Sequence, residues 1–175
     1  MRSGRHFAQF TVVEGELMLF GVIRPDWDVD GGAFAHRVDG HCFYSTGGGN
    51  ASYTADGSRW PGPNNWEGRQ GAREQGDRIG MLLDLDQGSM TVWKNGEQLG
   101  VMVAEGLSGP LCWAVSLLYE GSSARIELAP APASTTEEEL AAARAWQRRR
   151  VLRLPQTARD AECEAAEAQQ SDEDY

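Results

Sequence analysis

The sequence predicts an all-β domain, a sandwich or barrel of short strands, followed by a C-terminal α-helix and an acidic tail. Three observations carry this. Turn signals recur at short spacing up to Leu128: Glu14-Gly15, Asp39-Gly40, Gly47-Gly48-Gly49-Asn50, Asp56-Gly57, Gln87-Gly88, Asn95-Gly96 and Glu120-Gly121. Between them lie short apolar or alternating runs: HFAQFTVV, LMLFGVI, ASYT, RIGMLLDLD, SMTVWK, LGVMV, LCWAVSLL and ARIEL. Many short strands at such spacing make a sandwich or barrel. After Leu128 the composition changes abruptly.

Asn95-Gly96 is the sharpest local signal. Both residues tolerate positive φ, so they fit a type I′ turn joining SMTVWK to EQLGVMV. Asp84 and Asp86 stand just before Gln87-Gly88, where carboxylates cap a hairpin. APAPAS, within residues 129–134, reads as a Pro/Ala linker. Residues 135–154 read as a helix, with Thr135 or Thr136 as cap, Glu137 to Glu139 in the first turn and arginines near the end. That charge order suits the helix dipole. Pro155 stops it. Residues 155–175 are acidic and nearly devoid of large apolar side chains, so disorder is expected there.

The 175 residues suggest one domain with some excess, and 41% apolar content suffices for a core. No run is long and apolar enough to span a bilayer. The N-terminus lacks the apolar block of a signal peptide, so the chain reads as intracellular: cytoplasmic, with Arg148-Arg149-Arg150 able to serve as a nuclear signal. The net charge of −10 argues against nucleic acid as a partner. Three scattered cysteines, Cys42, Cys112 and Cys163, form no C-x-x-C pair, so neither a disulfide framework nor a zinc knuckle is indicated.

PDWDVDGG, Pro25 to Gly32, opens like a calcium-binding EF-hand loop. The β run before it and Pro25 argue against the helix such a loop needs. The twelfth position, counted from Asp26, should be a bidentate acid and is Arg37. The loop therefore reads as a solvated turn or a binding rim. No metal, cofactor or catalytic residue is assigned. His6, His36 and His41 have no partners at triad or ligand spacing, and GGGN lacks the lysine of a phosphate loop.

Several stretches are specific together. SGRHFAQFTVV, LMLFGVIRPD, CFYSTGGGNASYTADG, GDRIGMLLDLDQGSMTVWKNGEQLGVMV and LCWAVSLLYEGSSARIEL occur in order. This series resembles the SPRY domain family over residues 3–128. The stretch from Gly76 to Val103 carries most of the resemblance, through Gly76-Asp77, Leu83-Asp84-Leu85-Asp86, Gly88 and Asn95-Gly96-Glu97. The resemblance implies a bent, concanavalin-like sandwich of two antiparallel sheets without catalytic chemistry. It implies an interaction module that grips a short peptide or loop of a partner protein through loops at one end. Family domains usually carry further N-terminal strands, so an open sheet edge prone to weak association is expected.

The resemblance also nominates the rim. Arg24, Pro25, Asp26 and Trp27 follow the GVI strand, where relatives line the binding face. Leu118, Tyr119 and Glu120 follow the late VSL strand; Tyr119 takes the aromatic position, and Glu120 stands where glycine is usual. An acidic rim favours a basic segment. RWPGPNNWEGRQG adds Trp60 and Trp66, either as anchors for a partner or, for one of them, as a lid folded over the sandwich. Carbohydrate binding on a lectin-like sandwich is the alternative, because such folds also display tryptophans and aspartates on loops.

Overall fold

The computed structural model describes residues 1–15, 17–31, 35–49, 51–55, 58–59, 66–130 and 134–153. Trp60, Cys163 and the acidic stretch 155–175 lie outside the described residues. Among these described residues, ten strands appear in chain order: β1 Arg5–Glu14, β2 Met18–Ile23, β3 Cys42–Ser45, β4 Ala51–Ala55, β5 Ser58–Arg59, β6 Arg78–Asp84, β7 Ser89–Lys94, β8 Glu97–Val103, β9 Cys112–Leu117 and β10 Ser123–Leu128. A 3₁₀ turn spans Ala35–Arg37, and α1 spans Glu137–Arg153.

The strands form two five-stranded antiparallel sheets. The first runs β10-β1-β6-β7-β8 and the second β5-β4-β3-β2-β9. Alternation decides which residues face the core. Ala8, Phe10 and Val12 of β1 meet Met18, Phe20 and Val22 of β2 across the gap, joined by Ile79, Met81 and Leu83 of β6 and by Cys42 and Tyr44 of β3. The rings of Phe10 and Phe20 stack at 5.0 Å between centroids, tying one sheet to the other.

The predicted turns are made as their residue types demand. Asn95 and Gly96 both have positive φ, at 52° and 90°, and close the β7–β8 hairpin. Asp84 Oδ1 accepts the backbone N–H groups of Asp86 and Gln87, both at 3.0 Å, and Asp86 Oδ1 accepts that of Gly4 at 2.9 Å. Asp84 therefore caps the hairpin, as its position before Gln87-Gly88 indicates, whereas Asp86 ties that turn to the segment leading into β1.

α1 packs on the edge strand β8. Thr136 and Glu139 form a reciprocal cap: Thr136 Oγ1 accepts the Glu139 N–H at 3.2 Å, and Glu139 Oε2 accepts the Thr136 N–H at 2.7 Å. Leu140 is buried against Val101 and Ala104, with Ala143 beside it. Gln98 donates to Glu139, and Gln147 donates to the Met102 carbonyl at 3.2 Å. The helix thus shields one sheet edge. The N-terminal strand β1 is not an edge: it lies between β10 and β6. The exposed edge of the first sheet is β10.

Candidate partner-binding site

Strand register places the candidate residues. β2 and β9 are antiparallel, with Met18 opposite Leu117 and Ile23 opposite Cys112. The loop that begins at Arg24 leaves one end of this pair, and the loop that begins at Leu118 leaves the other. The two are separated by the length of β2, roughly 17 Å at strand rise. Arg24, Pro25, Asp26 and Trp27 therefore cannot share a rim with Leu118, Tyr119 and Glu120. Trp66 joins neither: it is 4% exposed, and its Nε1–H donates to the Gly49 carbonyl at 2.6 Å. It takes the second of its two predicted roles, folded over the sandwich, because its indole N–H finds a partner inside.

The Arg24 end is largely self-satisfied. The Arg24 guanidinium lies over Gly40 and donates to Gly109 O at 3.3 Å and Ser108 Oγ at 3.4 Å. Trp27 is half-buried and meets the His41 ring edge-on, with centroids 5.4 Å apart. His41 is buried, with Nδ1 bonded to the Ala35 carbonyl at 2.8 Å. Burial lowers its pKa and nearby Arg24 adds to this, against the Ala35 bond and Asp26. Pro25 and Asp26 are exposed. Asp28 Oδ1 accepts the Asp30 N–H at 3.0 Å, so the aspartate loop is organised as a turn.

The opposite end holds a groove of about 390 Å³. Gly15, Leu17, Gly47, Arg73, Tyr119, Glu120 and Ser122 line it. Tyr119 is 64% exposed, and Leu118 before it is 38% exposed. Arg73 is exposed and steadied by a 2.7 Å hydrogen bond from its Nε–H to the Gly47 carbonyl. The groove thus offers an apolar ring, a carboxylate and a guanidinium within one concavity.

Its floor is rigid. Thr46 exchanges bonds with Met18 and accepts from the Ala72 N–H at 2.8 Å. Tyr44 donates its hydroxyl to the Gln70 carbonyl, and burial, assisted by Asp77, raises the pKa of that phenol. Lys94 Nζ donates to Gly71 O at 2.8 Å and lies 3.4 Å from Asp77. Gly49 has φ +70°, and a Cβ there would lie 2.2 Å from the Gln70 carbonyl oxygen. Loop 66–77 is therefore strapped to the sheet by named bonds, and a ligand would meet walls already in place.

The SPRY domain family matches residues 5–130. The chain belongs to the SPRY domain family. Solved structures agree with this assignment of fold. The crystal structure of the SPRY domain of human HERC1 is 21% identical, with a TM-score of 0.56, covering 73% of this chain and 76% of that one. A crystal structure of a human SPRY domain is 16% identical, with a TM-score of 0.54, covering 69% and 74%. No curated protein matches the chain.

SPRY domains are generally protein-interaction modules and typically non-catalytic. Among the described residues of this SPRY domain, no three His, Cys, Asp or Glu side chains converge as metal ligands. None of its helices there is long and apolar enough to cross a membrane. Of the residues that line this groove, the sequence singled out Tyr119 and Glu120; Ser122 lies in the same loop, whereas Gly15, Leu17, Gly47 and Arg73 come from three other segments. Gly15 and Gly47, set in short turns, leave room for neighbouring side chains: a Cβ on Gly15 would meet Ser122, and one on Gly47 would meet Leu17.

Proposed function

We propose that this SPRY domain binds a short peptide or loop of a partner protein in the groove beside Tyr119. The observation that carries this is an exposed aromatic set on a concave, pre-braced surface. Aromatic anchors that are rigid before binding contribute most per residue. Tyr119 and Leu17 take an apolar side chain of the partner. Glu120 attracts a basic group, and Arg73 takes a carboxylate or a backbone carbonyl. The Arg24 end plays no part in this contact, because Arg24 and Trp27 already have partners within the domain.

Site-specific photo-crosslinking tests the reading. A crosslinker replacing Tyr119 should capture a discrete partner, and one replacing Asp26 should not. Tyr119→Ala and Arg73→Glu should then weaken binding of the captured segment by tenfold or more, on the order of 1.4 kcal/mol, with the fold intact. Capture from Asp26 alone would overturn the proposal. Glycan binding that depends on Trp27 would favour the lectin-like alternative instead.

A further inference from the structure

β10 leaves core-facing residues uncovered. Among the described residues it pairs only with β1. Ala124, Ile126 and Leu128 stand opposite Val12, Phe10 and Ala8, all of which face the core. Cross-strand partners share a face, so these three also point inward. Yet Ile126 is 43% and Leu128 78% exposed. The second sheet ends at β9, whose core-facing Leu117 is itself 48% exposed, and it does not reach over them. An apolar strip thus runs along a strand whose outer backbone groups are free to pair.

The other face of β10 carries charge. Arg125 and Glu127 point outward, opposite the uncharged Thr11 and Gln9. The five residues Ala124-Arg125-Ile126-Glu127-Leu128 read symmetrically: small or large apolar at the ends, opposite charges inside them, isoleucine at the centre.

We infer that a second copy of this chain docks on β10, joining the two first sheets into one antiparallel sheet about a two-fold axis at Ile126. In that register Arg125 faces the partner's Glu127, and Glu127 faces the partner's Arg125. Ile126 packs on the partner's Ile126, and Ala124 on the partner's Leu128, small against large. Opposite charges directly across an antiparallel pair stabilise it, and like charges destabilise it. The neighbouring symmetric registers fail on this count: centring on Arg125 sets arginine against arginine, and centring on Glu127 sets glutamate against glutamate. Sliding by one residue turns inward side chains outward. The contact is isologous and closes after two copies. Ala129, Pro130 and Ser134, beyond β10, lie beside Arg5 and Leu82 rather than along the outer edge, and the Arg5 guanidinium donates to Ser134 at 2.8 Å.

Two short strands bury less than a standard interface, so the dimer is weak and fills at high concentration. Sedimentation equilibrium on the full chain, from roughly 10 μM to 1 mM in about 0.15 M salt, reads it directly. The wild type should pass from one to two chain masses. Arg125→Glu and Glu127→Arg, each alone, should stay monomeric while keeping the wild-type melting temperature. An equimolar mixture of the two should dimerise, because every facing pair is then complementary, and the double variant R125E/E127R should dimerise like the wild type. A wild type that stays monomeric to 1 mM would overturn the inference and leave the edge to a strand of a different protein. A dimer indifferent to Arg125→Glu would overturn it equally.

Discussion

The Asn95 side chain holds Asp77: its Nδ2–H donates to Asp77 Oδ1 at 2.9 Å, while its Oδ1 accepts the Arg78 N–H at 2.8 Å. One turn residue thereby fastens the tip of the β7–β8 hairpin to the end of loop 66–77. Burial alone would raise the Asp77 pKa. The bonds from Asn95 and from the Glu74 N–H, together with the charge of Lys94, outweigh it and hold the carboxyl below its ordinary range.

Asp77→Asn should therefore cost about 1–3 kcal/mol at pH 7. The sign with pH follows from a folded pKa below the unfolded one. The contribution is complete above the ordinary carboxylate range and is lost as pH falls through the folded value. Denaturant titrations at pH 7 and pH 3 should show the gap between wild type and variant closing in acid. A gap of the same size at both pH values would assign the effect to packing alone, and one that widens in acid would overturn the lowered pKa.

Trp66→Phe removes one buried hydrogen bond and little volume, so it should cost about 1 kcal/mol. Trp66→Ala empties a core position and should cost about 3–5 kcal/mol. Urea midpoints give both. Similar, small losses would mean that Trp66 is peripheral after all.

Gly49→Ala and Gly96→Ala separate steric collision from backbone strain. Gly96 has open space beyond its Cα, so its substitution should cost about 1 kcal/mol from positive φ. At Gly49 the added methyl meets backbone that cannot move aside, so the loss should reach about 3 kcal/mol or more. Thermal melts of the two variants should differ clearly in this order.

Cys42 should be inert in the folded chain. Burial pushes its pKa up to about 12, so almost no thiolate exists at neutral pH. Cys112 is only half-buried. Iodoacetamide at pH 8 followed by peptide mapping should label Cys112 before Cys42, with Cys42 labelled only on unfolding.

The fold was legible where chemistry is local. Asn95-Gly96 could hardly make anything but a tight hairpin, and Asp84 could be placed as a cap from the turn it precedes. β3 was harder to read: Cys42 to Ser45 is four residues long, three of them fully buried, too short to show alternation. The rim was the least legible. Arg24 and Tyr119 each follow a strand of the second sheet, and sequence order alone suggests that both loops crown one face. The antiparallel pairing of β2 with β9 sends them to opposite ends, and only long-range register contains that information. Trp66 illustrates the same limit, since its choice between lid and anchor rests on the position of Gly49.

α1 has a diagnostic use beyond shielding β8. Most of the stability of a helix in a folded protein comes from packing an apolar face on its neighbours rather than from propensity, and the apolar anchors of α1 are few. Its folding is therefore conditional on the strand beneath it. In a chain otherwise built of strands, the ellipticity at about 222 nm that a helix contributes becomes an internal gauge of whether β8 is intact. A fragment ended at Pro130, where the family match stops, would lose this gauge and bare a second association-prone edge at the same cut.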